Sequence, residues 1–85
     1  MEKVFTVKNP TGLHARPAAK LAQTANSYPC DIYLVKDGKQ INAKSVMGLM
    51  ALAAKQGEQL TVITSGEKEA EALEAVGAVI ETIFE

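Results

Sequence analysis

Eighty-five residues, 47% of them hydrophobic, suffice for one packed core and are too few for a second core or a large enclosed substrate pocket. Nine basic and ten acidic residues leave a formal net charge of −1, which excludes a general electrostatic attraction to nucleic acid or anionic lipid. The chain is therefore expected to form a single domain, residues 1–85, that recognises partners through a local patch. No apolar run reaches the roughly 18 residues of a membrane span, and Met1-Glu2-Lys3 leads into a strand-like segment without a signal-peptide core. The lone cysteine, Cys30, cannot form an internal disulfide, which fits a reducing compartment, and a cytoplasmic location without membrane insertion is expected.

In chain order, Lys3-Val4-Phe5-Thr6-Val7-Lys8 is β-branched and aromatic, and the turn formers Asn9-Pro10-Thr11-Gly12 end this first strand. A helix is predicted from Arg16 to about Asn26. Pro17 suits its first turn, and Ala18, Leu21, Ala22 and Ala25 recur at helical spacing. Two strands, Asp31 to Val35 and Gln40 to Ala43, flank Lys36-Asp37-Gly38-Lys39, where Asp-Gly supplies the positive φ angles of a type I′ hairpin. A second helix is predicted to start near Ser45, an N-cap, and to stop by Gly57. A fourth strand covers Gln59 to Thr64. A third helix places Leu73, Val76, Gly77, Ile80, Ile83 and Phe84 on one stripe, with Glu67, Glu69 and Glu71 at its positive end. The order β-α-β-β-α-β-α is α+β. Helices with a single apolar stripe are expected to pack on one face of a four-stranded, at least partly antiparallel sheet whose other face meets water.

The chain's only histidine, His14, falls at the junction of loop and first helix, where the N–H groups of Ala15 and Arg16 have no intrahelical acceptor. A phosphoryl group on the imidazole would meet those donors, the positive end of the helix dipole and the forked guanidinium of Arg16. A neutral imidazole is also a nucleophile. A lone histidine before a helix is more often a capping or surface residue, and the residues alone leave both readings open. With one histidine, no Ser-His-Asp or Cys-His constellation can be assembled, no zinc site is expected, and no glycine-rich nucleotide motif occurs. No cofactor is expected.

The predicted second helix is apolar nearly all round. Leu49, Leu52 and Ala53 form a plausible core stripe, leaving Val46, Met47 and Met50 as an adaptable exposed patch or, alternatively, as ordinary core. A phosphate on Ser45 would add charge beside that patch, at a helix N-terminus.

The segments Gly12-Leu13-His14-Ala15-Arg16-Pro17-Ala18 and Asn42-Ala43-Lys44-Ser45-Val46-Met47-Gly48-Leu49-Met50 resemble HPr, the histidine-containing phosphocarrier family of the bacterial sugar phosphotransferase system, and the resemblance covers the whole chain. It implies an open-faced β-sandwich, a four-stranded antiparallel sheet with three helices on one side. It implies a phosphoryl carrier rather than an enzyme, in which His14 takes a phosphoryl group at Nδ1 from phosphorylated enzyme I and passes it to the IIA component of a sugar transporter; a monomer is expected, although the sequence itself does not fix the oligomeric state. Arg16 would help bind the phosphate. Ser45, with Val46-Met47-Gly48, is similar to the low-GC Gram-positive form, where an ATP-dependent HPr kinase/phosphorylase modifies the serine and the product binds a catabolite-control transcription regulator. Gram-negative relatives carry a serine there without this use. The family's docking face maps onto Ala15, Ala19, Lys20, Val46, Met47 and Met50. Tyr28-Pro29-Cys30 departs from the Ser- or Phe-rich stretch expected there. A bacillar relative without the histidine acts only through its serine, and His14 argues against that identity. A nitrogen-related paralogue with the same histidine chemistry is separated only weakly, by the Ser45 context.

Overall fold

Alternating side chains along extended backbone divide the sheet into a dry and a wet face. The strands are β1 (Glu2–Thr6), β2 (Asp31–Lys36), β3 (Lys39–Asn42) and β4 (Gln59–Ser65), and the helices are α1 (Ala15–Asn26), α2 (Val46–Ala51) and α3 (Glu69–Ile80). The computed structural model describes residues 1–83. Its element order is the β-α-β-β-α-β-α predicted, and the strands lie in the order β1-β4-β2-β3 with every neighbouring pair antiparallel.

On the dry face Phe5 lies opposite Leu60, and Val62 opposite Leu34. Together with Ile32 these side chains join Leu21, Ala22, Leu49, Leu73, Val76 and Ile80 in one hydrophobic core. On the other face Val4, Thr61 and Val35 form one cross-strand row and Ile63 and Tyr33 the next. These are half-buried apart from Val4, which is exposed. Close approach of α3 to β1 depends on Gly77, because a Cβ there would collide with the Phe5 ring.

The β2–β3 hairpin has φ of +50° at Asp37 and +79° at Gly38, the two positive values a type I′ turn needs. In α1 the predicted stripe is buried, with Pro17, Ala18, Leu21, Ala22 and Ala25 facing inward. Cys30 precedes β2 and is 2% exposed.

Two helices differ from expectation. α2 stops at Ala51, well short of Gly57, because Ala53 adopts the left-handed conformation at φ +52°. Ala53 is therefore exposed and leaves the predicted core stripe, whereas Leu49 and Leu52 are buried. The lysines of the hairpin cover this end, with Lys36 Nζ reaching the Leu52 and Ala53 carbonyls and Lys39 Nζ the Ala51 carbonyl. α3 begins at Glu69, after Lys68 at φ +64°, so Glu67 lies ahead of the helix. It ends at Ile80, and the Glu81 carboxylate just beyond accepts the Thr6 N–H. Ile83, past that end, is exposed rather than on the stripe. Phe84 lies outside the described residues.

Candidate functional site

His14 is where an extended loop becomes a helix. It is the N-cap of α1, with φ −95° and ψ −166°, and its carbonyl accepts the first helical bond from Ala18 N at 2.9 Å. Its ring makes no capping bond and is exposed. The side chain is therefore not used as a cap, and the residue lies at the surface. Ala15 and Arg16 occupy the first two helical positions, whose amides have no acceptor within the helix, and Pro17 contributes no N–H at the third. The donors near His14 are thus the Ala15 and Arg16 amides, with Arg16, an exposed residue, on the same turn. Anions are favoured at such a helix start.

The loop leading to His14 is rigidly built. Buried Asn9 donates from Nδ2 to Thr11 Oγ1 at 2.9 Å and to the Gly12 carbonyl at 3.0 Å, and the Gly12 amide returns a bond to the Asn9 carbonyl. Gly12 sits at φ +70°, and a Cβ on it would strike the Ala54 carbonyl oxygen. That same oxygen accepts the Leu13 N–H at 2.9 Å. This tie between the His14 loop and residues beyond α2 was not visible in the sequence, because it uses a backbone carbonyl. The one legible signal was Asn9, whose Asn-Pro-x-Gly setting favours a side-chain-closed turn.

The exposed strip of α1 carries Ala15, Arg16, Ala19 and Lys20, and α1 packs against α2. On α2, Val46, Met47 and Met50 are 38%, 82% and 46% exposed, which excludes the reading of these three as ordinary core. Ser45 is the N-cap of α2, and its exposed hydroxyl accepts the Gly48 N–H at 3.1 Å.

Below Ala54, Lys36 Nζ and Glu58 Oε1 are 3.2 Å apart, and the same carboxylate oxygen accepts the Lys55 N–H at 2.6 Å. The Lys55 backbone bond, followed by the Lys36 ammonium, holds the Glu58 carboxyl below its ordinary value of 4.5. Among the described residues no group of His, Cys, Asp and Glu is arranged to hold a metal ion, and no helix is long and apolar enough to cross a membrane.

Comparison with known proteins gives this geometry a family. The model for the PTS HPr component phosphorylation site matches residues 1–82. The HPr-like protein Crh of Halalkalibacterium halodurans is 53% identical over 81 residues, covering 95% of this chain and 96% of the relative. The crystal structure of phosphocarrier protein HPr from Bacillus anthracis superposes with a TM-score of 0.91 at 46% identity, covering 95% of this chain and 96% of that one. An HPr dimer from Thermoanaerobacter tengcongensis gives a TM-score of 0.75 at 46% identity, covering 87% of this chain and 85% of that one. With the motif around His14, the antiparallel sheet and its three helices all in agreement, the chain belongs to the HPr phosphocarrier family.

Proposed function

We propose that the chain accepts a phosphoryl group on His14 from phosphorylated enzyme I and passes it to the IIA component of a sugar transporter. The observation that carries this reading is the exposed His14 ring, unused as a cap, at the start of α1 beside Arg16. A bond forms between an imidazole nitrogen and phosphorus as the donor's bond to phosphorus breaks, and the reverse exchange delivers the group onward. The Ala15 and Arg16 amides and the Arg16 guanidinium serve the phosphate oxygens, without a metal or other cofactor. Ala15, Ala19, Lys20, Val46, Met47 and Met50 are the docking surface in this reading, supported by their exposure on neighbouring helices. The chain acts as one cytoplasmic domain, a carrier with a covalent phosphohistidine and no turnover of its own.

Incubation with enzyme I and labelled phosphoenolpyruvate tests this. The label should be alkali-stable, acid-labile and absent from His14→Ala. Label that persists in that variant overturns the assignment.

A second function is favoured by the similarity to Crh together with the exposed Ser45 hydroxyl. In it, HPr kinase/phosphorylase modifies Ser45 with ATP, and the product recruits a catabolite-control transcription regulator. Ser45→Ala should abolish that recruitment while His14→Ala leaves it intact, and the opposite result rejects it. The carrier is monomeric in this proposal. A sedimentation profile of a dimer, the state of the Thermoanaerobacter tengcongensis structure, would reject that part alone.

A further inference from the structure

Residues 52–58 belong to neither α2 nor β4, yet they hold the loop that presents His14. Three backbone bonds join the two stretches: Leu13 N to Ala54 O at 2.9 Å, Gly57 N to Val7 O at 2.8 Å, and Val7 N to Glu58 O at 2.9 Å. The first fixes the residue immediately before His14.

The segment has a conformation that must itself be held. Ala53 is left-handed at φ +52°, which an alanine adopts only against a cost. One ammonium and one carboxylate make side-chain bonds to the segment's backbone. Lys36 Nζ lies 3.3 Å from the Leu52 carbonyl, 3.4 Å from the Ala53 carbonyl and 3.2 Å from Glu58 Oε1. Glu58 Oε1 in turn takes the Lys55 N–H at 2.6 Å. The Lys36 side chain is 16% exposed and that of Glu58 34%, so the ammonium is partly shielded while the carboxylate meets water, and the cluster acts through its several charge-assisted bonds to backbone groups rather than through a buried ion pair. Every residue from 52 to 55 is thus bonded by Lys36, by Glu58 or by the His14 loop.

We propose that Glu58 and Lys36 are positioning residues for His14. They clasp residues 52–58 in the one arrangement in which the Ala54 carbonyl lies under Gly12 and receives Leu13 N, and so set the direction in which the imidazole leaves the helix start. Without the clasp, Ala53 relaxes toward negative φ, the Ala54 carbonyl turns away, and Leu13 loses its acceptor. The catalytic consequence rests on the reading of His14 as phosphoryl acceptor; the structural one does not.

The test combines amide hydrogen exchange with single-turnover phosphoryl acceptance from phosphorylated enzyme I. The variants are Glu58→Gln, Glu58→Ala and Lys36→Met. Gln keeps an acceptor for Lys55 N and loses the charge, whereas Ala loses both, so the effects should be graded Ala above Gln. The expected result for Glu58→Ala is a Leu13 amide that exchanges about 10-fold faster, with central β2 and β4 amides unchanged. Phosphoryl acceptance should slow by about 10-fold at saturating donor with little change in KM, within the ~10²-fold that a 1 Å misplacement of reacting groups can cost. Unchanged Leu13 exchange overturns the proposal. Exchange that rises in step with the central strands also overturns it, because that is general loosening. A wild-type chain that accepts no phosphoryl group overturns the acceptor reading and the catalytic half of this one, while the exchange measurement still decides the clasp.

Discussion

Gly12 carries two demands at once, a φ of +70° and room for the Ala54 carbonyl oxygen where a Cβ would be. Gly12→Ala should therefore lower the stability measured by urea unfolding by about 2 kcal/mol or more, the sum of backbone strain and a backbone clash. Ala53 has the opposite sign. It sits at φ +52° just past α2, where glycine is the usual residue. Ala53→Gly removes roughly 1–2 kcal/mol of left-handed strain and gives back about 0.4–1 kcal/mol through the more flexible unfolded chain. A net gain near 0.5 kcal/mol should appear as a midpoint raised by a few degrees. Of these two positions, only Gly12 was legible beforehand. Alanine has the strongest helix propensity of all residues, so Ala51 to Ala54 read as helix, and the tertiary bonds that stop the helix leave no trace in local composition. The place of His14 was legible for the reverse reason: a helix start is a local junction, marked here by Gly12 before it and Pro17 after it, whereas its chemistry was not decided by these residues alone.

Between elements, what counts is how helix ends are completed. Ser45 caps α2 through its bond from Gly48 N, and Ser45→Ala should cost about 1 kcal/mol in thermal or urea unfolding, independent of any phosphorylation. The other end of α2 meets the hairpin lysines and, through Lys36, the Glu58 carboxylate. Because the carboxyl is held below 4.5 in the folded chain, it contributes stability that is fully present above that pH and fades as pH falls through the depressed value. The groups facing it are Lys36 and Lys55. In unfolding midpoints measured from pH 6 down to pH 3, Glu58→Gln should thus show a shallower decline than the wild-type chain, and parallel curves would contradict the assignment. The hairpin and the N-cap of α2 were readable from Asp37-Gly38 and Ser45. The pairing of Lys36 with Glu58 was not, because it joins the end of one strand to the approach of another across the fold.

For the molecule as a whole, the strand order β1-β4-β2-β3 puts the first strand beside the last. Element types followed from periodicity, but which strands become neighbours is decided by how the helices share one core, and that is a property of packing. An anion at the exposed start of α1 adds only about 0.3–1 kcal/mol to such a fold. Phosphorylating His14 should accordingly move the calorimetric midpoint by no more than a few degrees, and a large shift would mean that the group reorganises the core. The core also contains a reporter of its own integrity. Cys30 is the only thiol in the chain and is almost completely enclosed. A thiol-modifying reagent can reach it only when the structure opens, so the rate of its modification under native conditions is a clock for that opening. Read alongside phosphoryl uptake, the clock separates variants that loosen the whole fold from those that merely misalign a single side chain.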